Sequence, residues 1–332
     1  MTEEELLALV REARPHLERA GPETEEHMAR LEEHHDELNA LVERLLTDDP
    51  ATAAEMSATL WSFWWMRGHM SEGRDFLERA AATGAGDRTD VLRGLGTIAF
   101  RQGDLDTAAN AFEERYAIVE AAGLPDELAS ACGDLARVAL RRGDFAEVRR
   151  WAERGYEAAE QAEDPATIRI PLHMRAAAAR MEGQYDEARE LYLRSIELNE
   201  QLGNALVIAG EHHNLVHVEL HSGNREEAGR RFTAASEWVF ANENEYIRPY
   251  VFLDAGVLAL HDGEDERACR LVACADRIFR DTDSIPDPDD YVELEQAVAA
   301  LRERLGEQFD AVWEEGRALG EDDARELARS SG

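Results

Sequence analysis

Six glycines, Gly68, Gly103, Gly143, Gly183, Gly223 and Gly263, recur along this 332-residue chain; the first step is 35 residues and every later step is 40. A fixed period of that size marks stacked supersecondary units, each of which buries its apolar face only against a neighbour. Such arrays present extended surfaces rather than one concentrated pocket. In RQGDLDTAANAF, RRGDFAEVRRWA, MEGQYDEARELY and HSGNREEAGRRF, the glycine suits the left-handed conformation that ends a helix. Asp104, Asp144 or Asn224 follows it and suits the cap of the next helix. The period therefore reads as a helix pair around a glycine turn.

Five residues after each glycine stands a small residue in most periods: Gly73, Ala108, Val148, Ala188, Ala228, Ala268. Four further on comes a large apolar one, Leu77, Phe112, Tyr192, Phe232 or Val272, with Trp151 one position early. That alternation lets one helix approach its neighbour closely and then lock onto it. Gly84 and Gly86, Pro125, Pro165, Asn204 and Asn244 separate successive pairs. Ahead of the array the pattern predicts two acidic helical stretches, 2–20 and 23–47, split by Gly21-Pro22. Beyond it, SIPDPDD (284–290) reads as a breaker before two or three terminal helices, with Ser330-Ser331-Gly332 fraying. No segment reads as a strand.

The net charge is −35, and all 36 Lys+Arg positions are arginine. Such an acidic chain is repelled by nucleic acid and by anionic membrane surfaces, and no stretch approaches the apolar length of a membrane span. The start, MTEEELLALV, lacks the basic region and apolar run of a signal peptide. Three cysteines, Cys132, Cys269 and Cys274, form neither a disulfide framework nor a four-ligand metal set. A reduced, cytoplasmic setting is the expectation. Acid excess concentrates at the ends: 15 acids against 5 arginines in 1–49, and 16 against 5 in 281–332. That suits end caps, whose outer faces meet water.

The small-then-large spacing, with Leu95-Gly96, Leu135-Ala136 and Leu215-Val216 in the first helices, resembles the tetratricopeptide repeat in a long, roughly 40-residue form. The resemblance covers about residues 50–280. A narrower likeness lies in LEEHHDELNAL (31–41), LWSFWWMRGHMSEGRDFLERA (60–80), EHHNLVHVELHSGN (211–224) and FDAVWEEGRAL (309–319). These are similar to the repeat (sensor) domains of bacterial signal-transduction ATPase regulators of the LuxR type. The chain departs from that family in having no GxxxxGK[ST] loop, which a sequence without lysine cannot form, and no basic helix-turn-helix.

In tetratricopeptide folds the first helix of each pair lines the concave face. The resemblance implies that positions 10, 6, 3 and 2 residues before each turn glycine point into it. Those positions give Arg93, Thr97, Arg101, Arg137, Arg141, His173, Arg180, Met181, His213, His217, His221 and His261. Five arginines and five histidines thus mark one stripe of a strongly acidic protein, while Asp134 and Asp254 sit one residue off it. The arginine fork suits a carboxylate or phosphate, so an anionic ligand or acidic peptide is expected; the competing reading has these arginines stitching neighbouring helices. Asn214 shares the His213 helix and suits a ligand backbone or the adjacent helix. His213, His217 and His221 are spaced i, i+4, i+8, about 12 Å end to end, so only two of them reach one ion easily, and no metal is assigned. Trp61 and Trp64 are expected in the core and Trp65 near the groove edge. Cys269 and Cys274, five apart on one helix, read as buried small hydrophobes.

The sequence therefore predicts an all-α, right-handed solenoid of about six 40-residue helix pairs (50–283), with acidic capping helices over 1–49 and further caps over 284–332. The expected function is non-enzymatic: a binding scaffold or sensor holding a peptide, protein segment or small anionic effector. Arg93, Arg101, Arg137, Arg141, His173, Arg180, His213, Asn214, His217 and His221 are the expected ligand contacts. No catalytic residue, metal or cofactor is assigned, and neither nucleic acid nor membrane is an expected partner. The alternatives are an enzyme or metal-binding protein using the His213/His217/His221 run, and a subunit of a regulatory assembly whose ATPase lies on another chain.

Overall fold

The computed structural model describes residues 1–18, 23–162 and 164–329; the Gly21-Pro22 split and the Ser330–Gly332 end lie outside them. All regular structure among the described residues is helical, and the fold is an all-α repeat solenoid. Six helix pairs follow the glycine period: α4 (Pro50–Met66) with α5 (Met70–Thr83), α6 (Arg88–Arg101) with α7 (Leu105–Ala122), and α8 (Pro125–Arg141) with α9 (Phe145–Ala159). Then come α10 (Arg169–Met181) with α11 (Tyr185–Leu202), α12 (Ala205–His221) with α13 (Arg225–Ala241), and α14 (Arg248–His261) with α15 (Asp265–Asp281). Helices α1 (Glu3–Glu18), α2 (Thr24–Glu33) and α3 (His35–Asp48) precede them; α16 (Pro288–Leu305), α17 (Phe309–Arg317) and α18 (Glu321–Arg329) follow. The stretch expected as one helix over 23–47 is broken at His34, with neither Gly nor Pro there.

Each turn glycine adopts positive φ, between 72° and 81°. The residue after it donates its backbone N–H five residues back, as in Asp104 to Ala99, Asp144 to Ala139 and Asn224 to Glu219. This satisfies carbonyls that a helix end would otherwise leave orphaned. Asp104 then caps α7 by accepting from the Thr107 N–H at 3.1 Å. That bond, with the Arg74 guanidinium, holds the Asp104 carboxyl down at about 2. The small-then-large positions pack as expected: Ala108, Phe112, Ala188 and Tyr192 are buried. Gly73 shows why small size matters, since a Cβ there would stand 2.7 Å from the Trp64 Cβ.

The chain divides into two compact units, 1–124 with 282–284, and 125–281 with 285–332. In the first, Phe63 and Trp64 are fully buried among α1–α6 apolar side chains such as Leu31, Leu38 and Leu60. Trp61, expected in the core, is only partly buried; it stacks on Trp65, with ring centres 5.9 Å apart. The second unit holds four repeat pairs and α16–α18. Its largest apolar cluster joins α12–α15 to the terminal helices through Val251, Phe252, Leu271, Leu294 and Leu301. Cys132, Cys269 and Cys274 are buried, and burial raises the thiol pKa of Cys269, to about 11, and of Cys274.

Candidate functional site

The stripe positions of the second unit project from α8, α10, α12 and α14, and several of their partners come from an unexpected place. The segment read from sequence as a breaker delivers the start of α16 against them. Pro288 opens that helix at a position where its missing N–H costs nothing. Asp289 and Asp290 occupy its first turn, where the helix dipole favours carboxylates. Asp289, Asp290 and Glu293 are all buried.

Arg180 is the hub. Its side chain is 2% exposed, and it donates to Asn214 Oδ1 (2.8 Å), Asp289 Oδ2 (3.0 Å), Asp290 Oδ1 (3.0 Å) and Glu293 Oε1 (3.4 Å). Asn214, expected to meet a ligand backbone or the next helix, thus meets the next helix. His213 stands between two carboxylates: its Nδ1 lies 2.8 Å from Asp254 Oδ1 and its Nε2 3.1 Å from Asp290 Oδ2. His217 Nε2 lies 2.9 Å from the same Asp254 oxygen, and its Nδ1 3.7 Å from Glu293 Oε2. His221 pairs with Glu293 Oε1 at 2.8 Å and stacks on Tyr185. The histidine run therefore splits as its spacing anticipated: His213 and His217 share one carboxylate and His221 turns to another. Donor atoms of His213, His217 and Asp254 all lie within 4.8 Å of one another, close enough to share a cation.

Charge decides the protonation of this cluster. Asp289, Asp290 and Glu293 converge on one permanent cation, Arg180, and Asp254 sits against His213 and His217. Buried carboxylates need paired charge, and the histidines supply it. Burial alone would push the His213 imidazole down, yet Asp254 and Asp290 push it well above its usual range. Burial and Arg180 act against a proton on His217, but the Glu293 and Asp254 carboxylates beside it still raise it. Reciprocally, His213 and Arg180 overcome burial to hold Asp290 far below the carboxylate range, and His217 leads the same effect on Glu293. Asp289 goes the other way, raised by burial and by neighbouring Asp290.

The remaining stripe residues are more open, except Arg101, which is buried. His173 Nδ1 lies 3.1 Å from both oxygens of Glu211, which Ser195 also supports, and its side chain is 35% exposed. Burial works against its protonation, but Glu211 raises it overall. Arg137 is half-buried and only 3.7 Å from Asp134 Oδ1. Arg141 donates to the Pro286 carbonyl at 2.6 Å. In the first unit, Arg93 lies over the Trp61 ring and Arg101 over Trp65, at 5.7 and 5.4 Å; cation–π contact occupies both.

The stripe was read as open to a ligand. The structure differs at Arg180, His213 and His217, which are buried and engaged by carboxylates of the chain itself, and at Asn214 and Arg101, which are buried against Arg180 and over Trp65. Sequence reasoning placed Asp254 one residue off the stripe and missed Asp289, Asp290 and Glu293 as partners. The one signal available was charge complementarity between the D-P-D-D-Y-V-E run and the Arg/His stripe. Among the described residues, no helix is long and apolar enough to cross a membrane.

Residues 87–161 match the family model "Tetratricopeptide repeat". The comparison with curated proteins gave no match. Among solved structures, a Rap protein complexed with competence and sporulation factor superposes with TM-score 0.61 at 13% identity, covering 99% of this chain and 96% of that one. Aspartyl phosphate phosphatase F from Bacillus subtilis gives 0.57 at 14% identity, with 96% and 95% covered. A tetratricopeptide repeat protein from Parabacteroides merdae gives 0.52 at 13% identity, with 89% and 99% covered. At these identities the likeness shows the fold, and together with the matched repeats it supports a tetratricopeptide repeat protein.

Proposed function

We propose that this chain is a non-enzymatic regulatory scaffold whose second unit recognises an acidic segment of a peptide or protein through the Arg/His stripe. The observation that carries the reading is Arg180, a buried guanidinium bonded to Asp289, Asp290 and Glu293, with His213, His217 and His221 completing the set. Arginine forks and imidazolium donors recognise paired carboxylates. Half-exposed Arg137 and His173 extend the same chemistry toward solvent. A Rap neighbour is seen in complex with a factor, which fits a binding role; another neighbour is named a phosphatase.

Native mass spectrometry of the purified chain, followed by denaturation to release what it holds, tests this reading. A retained acidic peptide or acidic protein supports it. A retained cationic ligand, or a metal bound at the histidines in place of any peptide, counts against it.

A further inference from the structure

We propose that the first turn of α16, with the residues leading into it (285–293), is an internal pseudo-ligand, and that a partner segment carrying two adjacent carboxylates and a third three residues on competes with it for Arg180, His213, His217 and His221. The inference rests on the acidic-segment reading above and adds to it the spacing of the partner's charges and the need to displace a resident.

Three observations carry it. First, the turn is attached by charge. Asp289, Asp290 and Glu293 reach Arg180 and the three histidines, while Tyr291 and Val292 beside them are 42% and 40% exposed. A turn that belonged to the core for packing alone would bury those two side chains and expose the acids. Second, although Pro286 and Pro288 are buried, the apolar cluster that seats α16 takes it up only from Leu294, Ala297 and Leu301. The 285–293 segment can therefore lift while the rest of α16 stays seated. Third, the cation set comes from two consecutive repeats. Arg180 belongs to α10 and the three histidines to α12, so the site is built by the repeat stack and the α16 carboxylates enter it as guests. Arg141 from α8 adds a backbone contact at Pro286. A foreign segment with the same carboxylate spacing on one helical turn meets the same donors, since positions three and four apart share a helix face.

The probe is a fluorescently labelled peptide with the sequence of residues 285–296, titrated by anisotropy into the full chain and into a full-length D290N/E293Q variant that keeps its helical circular dichroism. The inference expects the variant to bind at least tenfold more tightly than the parent chain, because its internal competitor is weakened. Equal affinity for both overturns the inference while leaving the acidic-segment reading standing. Binding to neither overturns both. Should the variant fail to fold, hydrogen exchange on the parent chain decides. With excess peptide, amides of 289–294 should exchange at least tenfold faster while those of α10 and α12 keep their protection; unchanged 289–294 amides alongside bound peptide refute the displacement.

Discussion

Replacing Arg180 with methionine keeps most of the side-chain volume and removes the charge, so the loss it produces is electrostatic. Arg180 makes four hydrogen bonds, three of them to carboxylates. At about 1.5–3 kcal/mol for each bond to a charged group, a simple sum reaches about 6–12 kcal/mol. That sum overstates the loss, because burying the guanidinium costs several kcal/mol that the variant recovers. What governs the outcome is the residue left behind: three buried carboxylates with no permanent cation beside them. Breaking a buried pair from one side costs about 3–5 kcal/mol. At about 1.4 kcal/mol per tenfold, amides of α10, α12 and α16 should lose protection by roughly a hundred- to several thousandfold at pH 7, read by hydrogen exchange. Protection within threefold of the parent chain would refute the claim that Arg180 organises this cluster.

Asp289→Asn at the same hub should behave oppositely. Burial and Asp290 already disfavour its charge, so urea unfolding should shift by less than about 1 kcal/mol. Stability of the second unit should also depend on pH in both directions. His213 has a raised folded pKa, so its contribution is full below about pH 6.5 and fades as pH rises through the folded value. Asp290 and Glu293 have depressed pKa values; their contribution is present above about pH 4 and fades in more acidic solution. Maximum urea resistance therefore falls near pH 5–6.5, and His213→Gln should flatten the alkaline limb and also shrink the acidic one, because His213 leads the depression of Asp290. Gly73→Ala forces a Cβ to 2.7 Å from Trp64 and should cost about 1–3 kcal/mol, seen as a lower melting temperature. Arg137→Glu, half-exposed with Asp134 at 3.7 Å, should weaken binding of an acidic peptide at least tenfold with the circular dichroism spectrum unchanged.

How much of this was legible in the sequence follows from the range of the forces involved. The helix turns are local: a glycine with positive φ and a bond five residues back leave a mark within six residues, and the period made that mark repeat. The Ala108–Phe112 and Ala188–Tyr192 alternation is equally local and was readable. Placing Arg180, His213, His217 and His221 together needed the helix period and the groove positions that the tetratricopeptide resemblance implies. Their partners did not come so cheaply. Asp289, Asp290 and Glu293 lie more than 100 residues from Arg180 in sequence, and locally the run S-I-P-D-P-D-D carries only turn chemistry. Asp254 was seen one position off the stripe, where its small lateral offset turned out to seat it between His213 and His217. The break at His34 has no glycine or proline to announce it. Arg93 and Arg101 lie on the stripe, but their cation–π seats over Trp61 and Trp65 depend on Trp61 turning out of its expected core position beside Trp65.

Recognition of carboxylates by the stripe is the central claim, and one titration addresses it most directly. The labelled 285–296 peptide and its counterpart with every Asp and Glu changed to Asn and Gln are each titrated into the full chain by anisotropy at pH 6 and low salt. The account predicts that the acidic peptide binds at least tenfold more tightly than the amide form, and that Arg137→Glu erodes that preference. Equal binding of the two peptides, or tighter binding of the amide form, would contradict it.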